Sequence, residues 1–434
     1  MNMKCMKVIL LSLFVVMLVL AGCSSNSSTT EAKETSGGET KVLEEEHNHG
    51  EDDEHHEDTH LEEDSTRIAI GYNGGVIITD GNFNIIETLE TETSAIALAS
   101  DERHVFLNAR EDGFLKLLDL GVWSEDHGDH GHIYVESPIL SSYILEGDKP
   151  THITAHGSKT AIFYDGDGST EIYTNKSLTT EAKPNSLLTI PGVEHHGVAV
   201  PLTNGNYAIS FTDEHDPQTL PDGIAIFNKD GEEISRFESC PRLHGEASTG
   251  SKEDEVVAFG CEGQVLLYTP HDNEGIELAL PDKEARVGTI KSHNESLYML
   301  GNYSSKEMPE LGTNVAIINT IDKSLRTLDV STRYVGAMAV SRTGDGFVLG
   351  INGVLYQIDL ANGSVKSEVK VVAPFEIVEG HGHGTVYPSI ALMDQSVLVT
   401  DPEKNEILHV SEETVKTVLS LDVQPTSIIS VTAK

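Results

Sequence analysis

The chain has 434 residues, enough to bury a large core in one all-β domain or in two or three ordinary domains. Hydrophobic residues at 38%, aromatics at 6%, one Trp and 38 Gly fit many short strands joined by turns and disfavour a long-helix bundle. A formal charge of -41, from 29 Lys plus Arg against 70 Asp plus Glu, repels phosphate backbones and excludes nucleic acid as a partner.

Twenty His in so acidic a chain are the unusual feature. Carboxylates raise the local cation concentration and imidazole supplies nitrogen ligands, so the composition points towards metal.

Residues 1–22 read as an export signal: Lys4 and Lys7 precede the apolar run Val8 to Leu20, which is shorter than the ~20 residues of a spanning helix. The ending Leu20-Ala21-Gly22-Cys23 resembles a bacterial lipobox, which implies cleavage before Cys23, a lipidated N-terminal cysteine and a protein held outside the cytoplasmic membrane by its lipid alone. With Cys5 removed and Cys23 acylated, Cys240 and Cys261 remain in an oxidising compartment and read as one disulfide; a thiolate metal pair is the alternative.

Residues 23–65 read as a disordered tether, since Ser, Thr and Gly followed by Glu, Asp and His leave almost nothing apolar to offset the entropy of ordering. Its segment 44–64 places His47, His49, His55, His56 and His60 among twelve acidic side chains, so many weak, transient metal sets are available. A charged spacer is the bland alternative.

From residue 66 to 434 one all-β domain is predicted. Apolar, β-branched segments recur from Ser94, Thr151, His195, Leu243, Arg286, Tyr334 and Val386, at intervals of 57, 44, 48, 43, 48 and 52 residues. Each is followed by turns and further strands, the signature of propeller blades. Pro425-Thr-Ser-Ile-Ile-Ser-Val has the pattern of an inner strand without outer partners, and Arg67 to Thr79 that of outer strands without an inner one, so together they would close a last blade. The count is eight, or seven if one repeat is mis-phased.

The histidines follow this phase. His156, His196, His244 and His383 each precede a Gly and are separated by 40, 48 and 139 residues, so four blades offer a His near the channel-lining strand. His152, His195 and His381 enlarge the set, and Glu194, Glu246 and Glu379 could add oxygen ligands or orient the imidazoles. Hydrogen-bonded channel-wall histidines holding no ion are the alternative. A second cluster, His127, Asp129, His130 and His132, reads as an exposed Gly- and Asp-rich loop able to wrap one ion, and His215 lies among acidic neighbours. More than one zinc ion is therefore expected; nickel and copper suit the same nitrogens, but nearby carboxylates and the lack of a Met cluster favour zinc.

Pro150-Thr-His-Ile-Thr-Ala-His-Gly, His195-His-Gly-Val-Ala-Val-Pro, Cys240-Pro-Arg-Leu-His-Gly-Glu-Ala with Cys261-Glu-Gly, and Thr400-Asp-Pro together resemble the AztD-like periplasmic zinc chaperones over most of Arg67 to Lys434. The resemblance implies a monomeric, non-enzymatic propeller that hands zinc by ligand exchange to the solute-binding protein of a zinc ABC importer. A propeller lactonase or lyase using the same channel, or a metal-free interaction scaffold, is the alternative; no Ser elbow, phosphate loop or cofactor fingerprint supports an enzyme.

Overall fold

The computed structural model describes residues 41–43, 65–93, 95–126, 131–216, 218–305, 312–378 and 385–434. The signal segment, Cys23 and His47, His49, His55, His56 and His60 lie outside the described residues, as do His127, Asp129, His130, His381 and His383. Among the described residues every regular element is a strand apart from three single 3₁₀ turns, and no helix is long and apolar enough to cross a membrane.

Eight antiparallel sheets form the eight blades of a propeller, as the repeats predict. Blade 1 pairs the C-terminal strand Pro425–Thr432 with Thr66–Tyr72, followed outward by Gly75–Asp80 and Ile85–Glu90. Ile68 faces Ser430 and Ile70 faces Ile428 across this seam, so the two ends of the domain share one sheet and close the ring. The innermost strands of blades 2 to 8 are Ala95–Leu98, Pro150–His156, Ala199–Pro201, Glu246–Thr249, Ile290–Lys291, Tyr334–Val340 and Ile390–Met393, each near a repeat start read from the sequence.

Burial follows position in the blade. Second strands such as Val256–Gly260 are buried along their whole length, because neighbouring blades cover both faces, and they read as continuous apolar runs. Outer strands such as Ser364–Lys370 alternate Ser, Val, Lys, Ser, Glu, Val and Lys, with solvent on one side. Blades 4 and 5 pack Val198, Val200, Ile224 and Ile226 against Leu243, Val257, Phe259 and Leu266, and the Cys240–Cys261 disulfide lies inside that layer, fully buried. Both cysteines are thereby removed from the pool of metal ligands.

One expectation needs correction. His132 does not lie in a loop: Val122–Asp126 and Gly131–Val135 pair antiparallel beside blade 2, and Lys41–Leu43 adds a third strand at their edge. Trp123 stacks on Tyr134 with ring centroids 4.9 Å apart, and the Arg103 guanidinium covers the Trp123 ring at 3.6 Å. The acidic, Gly-rich composition from Ser124 to His132 hides the apolar pairing of Trp123 with Tyr134.

Candidate metal centre

His152, His196 and His244 come from three consecutive blades. His152 is the third residue of the inner strand of blade 3, His196 lies three residues before that of blade 4, and His244 two residues before that of blade 5. Each offers one ring nitrogen to a group in which all three lie within 4.8 Å of one another. Ring centroids are 5.2 Å apart for His152–His196, 5.6 Å for His152–His244 and 5.0 Å for His196–His244. All three are half-buried, and this trio is the one such group of His, Cys, Asp or Glu found among the described residues.

Two glycines make the close approach feasible. A side chain at Gly197 would collide with the Phe163 ring at 2.4 Å. Gly245 sits at φ +86°, where a Cβ would meet the Gly288 carbonyl oxygen at 2.8 Å, so the backbone beside His244 can fold against the next blade only with Gly there.

In each imidazole Nδ1 is already engaged. His152 Nδ1 donates to Glu246 Oε1 at 3.2 Å, His196 Nδ1 to Asp165 Oδ2 at 2.7 Å, and His244 Nδ1 to the Gly288 carbonyl at 2.6 Å. A carbonyl or carboxylate only accepts, so the proton belongs on Nδ1 and the lone pair on Nε2. Three oriented Nε2 lone pairs, each backed by an oxygen acceptor, are what an imidazole metal site requires.

The electrostatics divide the three rings. Burial, reinforced by His152 and His196, pushes His244 down to about 4, so it is neutral and ready to ligate at neutral pH. Burial also opposes the charged form of His152, but Glu246 outweighs it and holds this ring above the ordinary imidazole value. Glu246 itself is held below the usual carboxylate range: burial would raise it, and the charge and hydrogen bond of His152 prevail. Asp165 is likewise lowered against its burial by His196 and Arg110.

These shifts give a pH prediction. Metal can bind His152 only after its proton leaves, so affinity should begin to fall, on acidification, above the ~6.5 of free imidazole. Glu246→Gln removes the charge that raises His152 and should move that onset to lower pH. Competition titrations against a chelating dye from pH 8 to pH 5 check both; an onset unmoved by Glu246→Gln would contradict the assignment.

The other residues singled out in the sequence lie elsewhere. His156, at the far end of the strand that carries His152, is fully buried and bonded through Nε2 to Glu255 Oε1 at 2.9 Å; His152 takes its expected place in the group. His195 turns away, with Nδ1 on the Val193 carbonyl at 2.6 Å and Nε2 on Ser210 Oγ at 2.9 Å, so both nitrogens are occupied. His215 is exposed on the loop after Tyr207–Phe211, and His132 lies in the hairpin strand with its ring 6.4 Å from Tyr134. Glu246 supports His152 and also lines a channel cavity of about 950 Å³ shared with Thr154, Lys291, Glu102 and Glu295. Asp165 was not legible as a site residue: Tyr164-Asp165-Gly166 is an ordinary turn signal, and only the fold sets its carboxylate behind His196.

An eight-bladed propeller with a three-histidine centre set among its inner strands is thus defined. No family model matches the chain. It is 29% identical over 327 residues to the zinc chaperone AztD of Citrobacter koseri, covering 74% of each chain. The crystal structure of Citrobacter koseri AztD superposes with a TM-score of 0.73 at 26% identity, over 85% of this chain and 98% of that one. The apo structure of the same protein gives 0.72 at 24% identity over the same shares, a likeness of fold. The resemblance to AztD-like zinc chaperones carried by the His-containing blade starts therefore extends over most of the propeller.

Proposed function

We propose that the protein is an extracytoplasmic zinc carrier that holds Zn²⁺ on His152, His196 and His244 and passes it by ligand exchange to the solute-binding protein of a zinc ABC importer. The observation that carries this reading is a rigid set of three imidazoles with no fourth member among the described residues. Three protein ligands leave a tetrahedral zinc one open position, through which an acceptor's side chain can enter before the carrier's own ligands leave. The same open position would serve a metal hydrolase. The similar proteins are named for chaperoning zinc, which favours a carrier over a lactonase, a lyase or a metal-free scaffold.

In this reading the lipid on Cys23 keeps a monomeric domain close to the importer and raises their effective concentration. His47, His49, His55, His56 and His60 capture zinc weakly over a long reach, and the segment with His127, Asp129, His130 and His132 binds a further ion. Carboxylates around the site and the lack of a Met cluster favour zinc over copper.

Zinc passage to the cognate binding protein, measured with a chelator strong enough to trap free ion, tests the proposal. Transfer should persist in the chelator's presence, and deleting residues 44–64 should slow loading or handover while leaving the tight site filled. If the chelator intercepts all the zinc, the protein releases its metal freely and is a buffer or store.

A further inference from the structure

We infer that Arg110, in a blade that contributes no ligand to the three-histidine group, is a positioning residue that sets the placement of His152 and His196 relative to each other. It stands on the short 3₁₀ turn Arg110–Asp112 of blade 2, between the strands His104–Ala109 and Phe114–Asp119. Its guanidinium crosses to blade 3 with two separate prongs. Nη2 donates to Asp165 Oδ2 at 2.9 Å, the same oxygen that accepts from His196 Nδ1 at 2.7 Å. Nε donates to Thr151 Oγ1 at 3.0 Å, and Thr151 immediately precedes His152 in the strand Pro150–His156.

One planar group therefore grips the supports of two of the three imidazoles. Asp165 is fully buried, and its other oxygen accepts from the Gly197 backbone N–H at 3.3 Å. Without Arg110 this carboxylate loses a charged donor in a place where water cannot replace it, and the force holding it against His196 Nδ1 is weakened. A Lys at this position would keep a charge but not the fork that reaches Thr151 and Asp165 together. Arg110 itself is one-third exposed and also contacts the exposed Glu111 carboxylate, so the site's geometry is held from a residue at the molecular surface.

This inference rests on the zinc-carrier reading. Zinc affinity, by competition with a chelating dye, and the visible spectrum of the Co²⁺-substituted site are to be measured for the full chain, Arg110→Gln, Asp165→Asn and the double variant, with thermal melting as a fold control. Asp165→Asn should weaken binding about 10–100-fold, the range for supports behind a metal-bound His, and Arg110→Gln about 10-fold with an altered Co²⁺ spectrum. Because Arg110 acts through Asp165 as well as Thr151, the double variant should lose less affinity than the product of the two single losses. Arg110→Lys should fall between Arg110→Gln and the unaltered protein, and it gives the answer should Arg110→Gln not fold.

Unchanged affinity and spectrum in Arg110→Gln, or losses that multiply in the double variant, overturn the positioning role alone. Failure of the unaltered protein to bind zinc tightly would overturn the carrier reading, and this inference with it.

Discussion

Replacing His152, His196 and His244 together by Ala is expected to abolish tight zinc binding and leave the propeller folded. A four-ligand zinc site is worth roughly 10–16 kcal/mol, so each ligand accounts for about 3 kcal/mol, or about 100-fold in affinity. Each single replacement should therefore cost about that factor, and the triple variant should retain only the weak binding of scattered His and carboxylates. The fold should survive because all three rings are half-buried beside the inner strands, outside the apolar layers that join the blades. His215→Ala, exposed and outside the group, is the control and should leave affinity unchanged. Isothermal titration with the tail segment 44–64 removed reads the outcome without competition from its histidines. High affinity surviving the triple replacement would contradict the assignment.

The largest effect on stability is expected at Glu255, away from the metal centre. Its carboxylate is fully buried and accepts from His156 Nε2 at 2.9 Å, from the Thr203 backbone N–H at 2.9 Å and from Thr203 Oγ1 at 2.6 Å. His156 belongs to blade 3, Thr203 follows the inner strand of blade 4, and Glu255 precedes Val256–Gly260 of blade 5. One carboxylate thus fastens together the three blades that carry the histidine group. Glu255→Ala leaves a buried imidazole and a partly buried backbone donor without their acceptor, a defect worth about 3–5 kcal/mol. Glu255→Gln keeps an acceptor oxygen and should cost distinctly less. Chemical denaturation of the two variants measures the difference, and a loss under about 1 kcal/mol in Glu255→Ala would mean that this clamp is not what joins the blades.

The fold was legible because a propeller writes its period into the chain. Inner strands starting near Thr151, His195, Leu243, Arg286 and Tyr334 repeat at nearly constant spacing, and the split final blade leaves orphan strands at both ends of the domain. The site was legible in part. The sequence pattern pairs each His with a following Gly, which selects His156; the blade spacing selects His152, 44 residues before His196, where His156 is only 40 before it. An inner strand of seven residues is long enough to carry one His at its metal-facing start and another at its clamped end, and the dipeptide cannot tell them apart. Asp165 and Arg110 were out of reach for a different reason. Their roles depend on which turns of neighbouring blades meet, a relation across 31 and 55 residues that no local motif records. His195 misled through proximity: adjacent to His196, it points the opposite way and spends both nitrogens on Val193 and Ser210.

The central claim is that zinc sits on three imidazoles drawn from three blades. X-ray absorption at the zinc edge, on protein lacking residues 44–64 and loaded with less than one equivalent of metal, tests it most directly. The account predicts three imidazole nitrogens at ~2.0–2.1 Å and one further light atom in the open position, with no sulfur at ~2.3 Å. A sulfur shell, or an all-oxygen shell without the outer scattering of imidazole rings, would contradict it.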